Sequence, residues 1–226
     1  MSKLTTSTKT ERHDPARRAL LGGGLGLGLT LMAAATGLMA LPGSARASDA
    51  AQKLADHFSS VKTMTGEFIQ FGPNGEQTGG KFFIDRPGKL RFNYEAPSAI
   101  RVISDGEAVV IGNRKLRTWD VYPLSKTPLK MLLSERIDLS GDTVKSVTED
   151  PDLTTIVLGN KSIFGDSTIS MMFDPKTFEL RQWTIRDAQG KDTSVMIFNV
   201  RTGVKFATNV FKVPYDEVHK TNRGGG

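Results

Sequence analysis

Three histidines, a scatter of carboxylates and no cysteine are what this chain offers for acid–base, metal or covalent chemistry, and their spacing argues against all three. His13, His57 and His219 lie far apart, and no two stand four residues apart as a helix-borne metal pair requires. No G-x-S-x-G elbow and no P-loop occurs. Glu149, Asp150 and Asp152 match a calcium loop only faintly, and Asp150-Pro151-Asp152 reads as a solvated turn. The absence of Cys removes thiolate catalysis, cysteine-ligated zinc, disulfide support and a lipid-modified N-terminal cysteine. The expectation is a protein that is not an enzyme, has no cofactor and no metal site, and is held together by core packing alone.

What remains is apolar surface. Residues 81–97 read Lys-Phe-Phe-Ile-Asp-Arg-Pro-Gly-Lys-Leu-Arg-Phe-Asn-Tyr-Glu-Ala-Pro, two strands meeting at a Pro87-Gly88 turn. Leu90, Phe92 and Tyr94 alternate with Lys89, Arg91 and Asn93, so three large apolar side chains share one sheet face and the charges take the other. Arg86 ends the first strand just before the turn. Downstream, Pro128 to Leu133 is short, apolar and free of β-branched residues, which predicts a helix opened by Pro128.

The elements that must position these residues follow from periodicity. Ala51, Leu54, Ala55, Phe58 and Val61 recur at helical spacing, with Ser48 or Asp49 as cap and Gln52, Lys53 and Ser59 on the reverse face. Strands are expected near 64–72, 77–86, 88–95, 100–104, 107–112 and 116–122. They resume near 143–149, 153–159, 166–173, 179–187 and 192–201, with a last short strand over Phe211 to Val213 stopped by Pro214. Asn74-Gly75, Asp105-Gly106, Asp174-Pro175 and Gln189-Gly190 supply turns. Many short strands with turns between them predict an antiparallel meander. A sheet of that size curls by its own twist.

Residues 1–47 read as a cleaved export signal; the alternative is a transmembrane anchor, for which the run is long enough but weakened by Gly22, Gly23, Gly24, Gly26, Gly28 and Gly37. A polar start with Lys3, Lys9, Arg12, Arg17 and Arg18 precedes an apolar, glycine-rich run to Leu41, and Ala45-Arg46-Ala47 offers a cleavage site before Ser48. Arg17-Arg18 loosely matches a twin-arginine signal, with ordinary Sec export as the alternative. The formal charge of +6 owes most to this segment, which holds six of the 30 Lys/Arg and two of the 24 Asp/Glu. The remaining 179 residues carry 24 basic and 22 acidic side chains spread along the chain, which withdraws compositional support for nucleic-acid binding. That length suits one domain, 48–220. Residues 221–226 end in three glycines and read as a disordered tail.

Several segments together resemble one family: Gly66-Glu67-Phe68-Ile69-Gln70, Gly80-Lys81-Phe82, Arg86-Pro87-Gly88-Lys89-Leu90-Arg91, Tyr94-Glu95-Ala96-Pro97, Ser104-Asp105-Gly106, Tyr122-Pro123-Leu124-Ser125 leading into Thr127-Pro128-Leu129, the Gly190 to Asn199 strand, and Phe211-Lys212-Val213-Pro214. In order and spacing they resemble the LolA-type periplasmic carriers of outer-membrane lipoproteins. The resemblance implies a mainly β fold, an incomplete (open) antiparallel β-barrel of about ten to eleven strands with a helical lid. It implies a monomeric chaperone in the periplasm. Its cargo would be the acyl chains of lipoproteins, received from an inner-membrane lipoprotein-releasing ABC transporter and passed to an outer-membrane acceptor. The family's cavity positions fall on Leu54, Phe58, Val61, Leu90, Phe92, Leu129, Met131 and Leu132. Its lid latch, an arginine bonded to lid carbonyls, falls on Arg86. Leu90 and Phe92 depart from the aromatic and Trp of a well-studied carrier but stay apolar. No clear extra C-terminal strand and helix, of the kind that helps direct some carriers to their acceptor, is expected after Pro214.

Two other readings share the scaffold. An envelope-stress regulator uses a related lipid-sensing domain to grip an anti-sigma factor, and usually carries a second domain for which 179 residues leave no room. A carrier of another amphiphile, such as a glycolipid, would present the same greasy interior. Without the resemblance, the apolar stripe is plain core.

Overall fold

The structure is a computed structural model that describes residues 49–140, 142–162 and 165–223. The expected export signal lies outside the described residues.

Helix α1 (Asp49–Ser60) comes first. Strands β1 (Thr63–Phe71), β2 (Gln77–Asp85), β3 (Lys89–Tyr94), β4 (Ile100–Asp105), β5 (Ala108–Asn113) and β6 (Thr118–Pro123) follow as a meander. A 3₁₀ turn, Leu124–Lys126, and a one-turn helix α2 (Leu129–Leu132) interrupt it. Strands β7 (Val144–Glu149), β8 (Thr154–Ser162), β9 (Gly165–Phe173), β10 (Leu180–Arg186) and β11 (Asp192–Thr202) complete the sheet, and α3 (Tyr215–Arg223) ends the described chain.

The sheet order is β6-β5-β4-β3-β2-β1-β11-β10-β9-β8-β7, with every neighbouring pair antiparallel. Pairing of β1 with β11 puts the first and last strands in the middle and leaves β6 and β7 as unpaired edges. The fold is therefore the expected open antiparallel barrel, mainly β, with eleven strands. The segment joining the two edges carries α2, so the lid springs from the gap in the barrel.

Strand parity assigns the faces. Leu90 and Phe92 stand opposite Ile84 and Phe82, and all four are buried. Phe68 packs edge-on against Phe92 and Tyr94, with ring centroids 4.6 and 5.0 Å away. Trp183 of β10 meets Phe92 from the other half of the sheet at 6.1 Å. Gly80 faces Tyr94 across the ladder; its φ of +155° and the pressing carbonyl of Asn93 leave no room for a Cβ, so the strands approach closely where the ring must turn inward. Helix α1 lays Ala51, Leu54, Ala55 and Phe58 into the same core.

Four expectations need correction. Residues 211–213 are not a strand: the chain from 204 to 214 runs irregularly and lays Phe211 and Val213 against the sheet's outer face. Phe206 packs there between Phe83 and Phe211. Second, the outer face is not wholly polar. Ile103 and Val110 form a separate small core with Val213 and Val218, since a curled sheet of this size has two faces to cover. Third, a helix does follow Pro214, whose carbonyl accepts from the Val218 N–H at 3.1 Å, and it runs to Arg223. The tail was expected over 221–226; residues 224–226 lie outside the described residues. Fourth, Val61 lies just past α1, which ends at Ser60.

Candidate functional site

The site is the inner sheet face where α1, the lid and the Pro87-Gly88 turn converge. The lid is anchored by backbone: the Gly88 N–H donates to the Leu133 carbonyl at 3.0 Å, and Gly88 can do so because it takes the left-handed φ of +80°. Side chains of α1 hold the chain beyond α2. Gln52 donates to the Ile137 carbonyl at 3.1 Å and accepts from the Leu139 N–H at 3.0 Å. The Ile137 N–H donates to the Ser59 hydroxyl at 3.1 Å, and Arg136 pairs with Asp56 at 2.9 Å.

Arg86 sits at the centre, 4 % exposed. Its Nη1 donates to the Val61 carbonyl at 2.7 Å and its Nη2 to the Leu132 carbonyl in the lid at 3.4 Å. Its backbone N–H donates to the Lys62 carbonyl at 2.7 Å. The buried Nε has no hydrogen-bond partner. Burial pushes the guanidinium down to about 10, because taking its charge from water is only partly repaid by two carbonyls and a ring face. The stronger side-chain bond thus goes to the chain leaving α1, and the lid receives the longer one.

The anticipated cavity residues come together in one hydrophobic cluster. Leu54, Phe58, Leu90, Phe92 and Leu132 are fully inside it; Val61, Leu129 and Met131 pack on it half-buried. All eight thus belong to, or pack on, one core. Phe58 and Val61 alone among them also line a cavity of about 480 Å³ between α1, the β9–β10 connection and β11. Met64, Phe178, Ile197 and Phe198 share that lining and escaped sequence reasoning. Parity in β11 does carry a signal for Ile197, which faces in beside Val195. Gln52 and Ser59, read as the reverse face of α1, bond the lid segment, and nothing in a helical repeat announces a partner about 80 residues away.

Tyr94, the described histidines and Asp150 have partners within the fold. Tyr94 donates to Gln70 at 2.7 Å, and burial pushes its phenol up to about 12. His57 meets Phe178 edge-on at 5.5 Å, and His219 stacks on Tyr215; His13 lies outside the described residues. Asp150 and Leu153 bond each other across the β7–β8 turn. Among the described residues no group of His, Asp or Glu is arranged to hold a metal ion.

Comparison with known proteins identifies the family. Residues 59–214 match the family model described as outer membrane lipoprotein carrier protein LolA. The chain is 26% identical over 184 residues to the outer-membrane lipoprotein carrier protein of Pseudomonas aeruginosa, covering 76% of this chain and 86% of that one. It is 25% identical over 198 residues to the protein of that name in Methylobacillus flagellatus, covering 81% and 94%. Among solved structures, a LolA superfamily protein from Nitrosomonas europaea is similar at a TM-score of 0.38 and 10% identity, covering 73% of this chain and 98% of that chain. With more than half its length matched by the family model, the chain belongs to the LolA family of outer membrane lipoprotein carrier proteins.

Proposed function

We propose that this chain is an exported periplasmic carrier whose inner sheet face takes up lipoprotein acyl chains behind a lid governed by Arg86. It receives cargo from an inner-membrane lipoprotein-releasing ABC transporter and delivers it to an outer-membrane acceptor. Membership in the family and the shared name of its relatives support the cargo class. The observation that carries the mechanism is the position of Arg86, buried between α1 and the lid with one long bond and one orphaned donor.

The physics of the reading is a balance. Each buried methylene is worth about 0.8 kcal/mol, so a lipid anchor exchanges readily between apolar hosts but not into water. A carrier must offer such a surface and then surrender its contents. Here Leu129, Met131 and Leu132 cover the same apolar face that acyl chains would occupy, so the lid and the cargo compete. Closure regains the apolar contacts of the lid and favours release; loading displaces it. An under-satisfied Arg86 keeps that closed state shallow. Met131 adapts to chains of varied shape.

The test is displacement of a bound hydrophobic dye by an acylated peptide and by the same peptide without its chains. The reading expects displacement by the acylated form alone; equal displacement by both would refute it. N-terminal sequencing of the exported protein checks the leader, with a start expected near Ser48.

A further inference from the structure

At the barrel end opposite the lid, three arginines from three successive segments gather on the outer face without a counter-charge. Arg91 comes from β3, Arg101 from β4, and Arg114 from the residue just past β5. Register accounts for the gathering: Asn93 stands opposite Arg101, and Arg101 opposite Gly112, so β3 and β4 bring their outward residues side by side. With Asn93, Tyr94 and Ile100 they line a recess of about 250 Å³. No ion pair engages any of the three among the described residues. Glu95 lines the adjoining cavity and not this one.

The recess is built rather than incidental. Arg91 is oriented by two bonds, Nε to the Asn93 side-chain oxygen at 2.8 Å and Nη1 to the Val210 carbonyl at 2.8 Å. Its Nη2 remains to serve a ligand. Arg101 lies 5.7 Å from the centroid of the Trp119 ring, and that ring lies flat over Gly112, where a Cβ would collide with it. The guanidinium groups of Arg101 and Arg114 donate to no protein acceptor among the described residues, although the Arg114 backbone N–H bonds the Ala99 carbonyl at 2.9 Å. Burial, and then the nearby charge of Arg101, lowers the affinity of Arg91 for its proton, as like charges held together must.

We infer that this recess binds a phosphate-bearing anion, through the guanidinium groups of Arg91, Arg101 and Arg114. Three convergent cations suit a group with more than two acceptor oxygens, and planar guanidinium matches phosphate oxygens in pairs. A carboxylate would satisfy one arginine and leave the others unpaired. A recess of about 250 Å³ has room for the phosphate group of an ester. A free phosphate ester and the headgroup of an anionic phospholipid present the same chemistry. The inference stands apart from the acyl-carrier reading, since Arg91 and Arg101 project from the outer sheet face.

The experiment is NMR titration of the full mature protein with sodium phosphate at constant ionic strength, following the Arg91 Nε–H and Trp119 indole signals. Saturable shifts confined to this recess are expected. Arg101→Gln and Arg114→Gln, chosen because neither side chain bonds protein, should each weaken binding about tenfold or more, with an unchanged circular dichroism spectrum. Co-sedimentation with phosphatidylglycerol vesicles, compared with phosphatidylcholine vesicles, separates the sources. Retention on the anionic vesicles alone, lost in the double variant, assigns a lipid headgroup. Phosphate binding without retention assigns a soluble ester. No saturable shift with phosphate and no preference for anionic vesicles overturns the inference, as does equal binding by the double variant.

Discussion

The guanidinium carbon of Arg86 lies 4.1 Å from the centroid of the Phe58 ring, so the same arginine that reaches the lid carbonyl also stacks on the helix that the lid covers. A buried cation over a ring face gains from the ring quadrupole, and this contact partly offsets the unmet Nε donor. Arg86 therefore reports on α1 and the lid together.

Replacing Arg86 tests that coupling. Arg86→Leu should fold and accept acylated peptide, since the apolar wall is intact. Loss of the Leu132 bond should favour the open lid by about 1.5 kcal/mol, or roughly tenfold. Cargo transfer from loaded carrier to acceptor membranes should slow accordingly. Arg86→Lys should recover only part, because an ammonium cannot fork between Val61 and Leu132. Normal transfer by the leucine variant would reduce Arg86 to a packing residue.

Core and vessel can be separated by comparing Phe92 with Met131. Phe92 is wedged among Phe68, Phe82, Tyr94 and Trp183, so Phe92→Ala should cost about 3–5 kcal/mol in urea unfolding. Met131 is half-buried on the lid. Met131→Gln should leave stability nearly unchanged and weaken uptake of an acylated peptide about three- to tenfold. A large stability loss for Met131→Gln with unchanged uptake would mean that the lid is simply core.

The β9–β10 turn gives a pH dependence with a definite sign. Asp174 accepts the backbone N–H groups of Thr177 and Lys176 and the guanidinium of Arg181, with the Thr177 bond foremost, and these hold its carboxyl down to about 2. A depressed acid contributes stability above its unfolded value of 3.8, and loses it as pH falls through about 2. Between pH 5 and 2 the urea midpoint should therefore fall more for the native protein than for Asp174→Asn. NMR titration of the carboxyl checks the shift directly.

Helix α3 is predicted to depend on one residue. Val218 is 1 % exposed and meets Ile103, Val110 and Val213. Val218→Asp should undock the helix and destabilise the protein by about 3 kcal/mol or more. Hydrogen exchange should rise at β4, β5 and β6 while the Arg86 region stays protected. Uniform loss of protection would mean that the outer core and inner core unfold as one unit.

Alternation and turn chemistry made much of this protein legible from its residues. Leu90, Phe92 and Tyr94 repeat every second position, and only a strand puts them on one face. Ala51, Leu54, Ala55 and Phe58 repeat at 3.6, and only a helix does the same. Asn74-Gly75 and Pro87-Gly88 mark where strands reverse. These are local rules, fixed within a few residues by backbone sterics. What tertiary structure alone decided is long-range. Pairing of β1 with β11 set which strands became edges and placed the lid at the gap. Gln52 and Ser59 found backbone partners in the lid segment, 137–139, rather than water. Phe211 to Val213, apolar enough for a strand, went instead to cover an outer face, where Val213 meets Ile103 and Val110. Arg91, Arg101 and Arg114 are ordinary surface residues in sequence, and only the register of β3, β4 and β5 draws their charges into one recess.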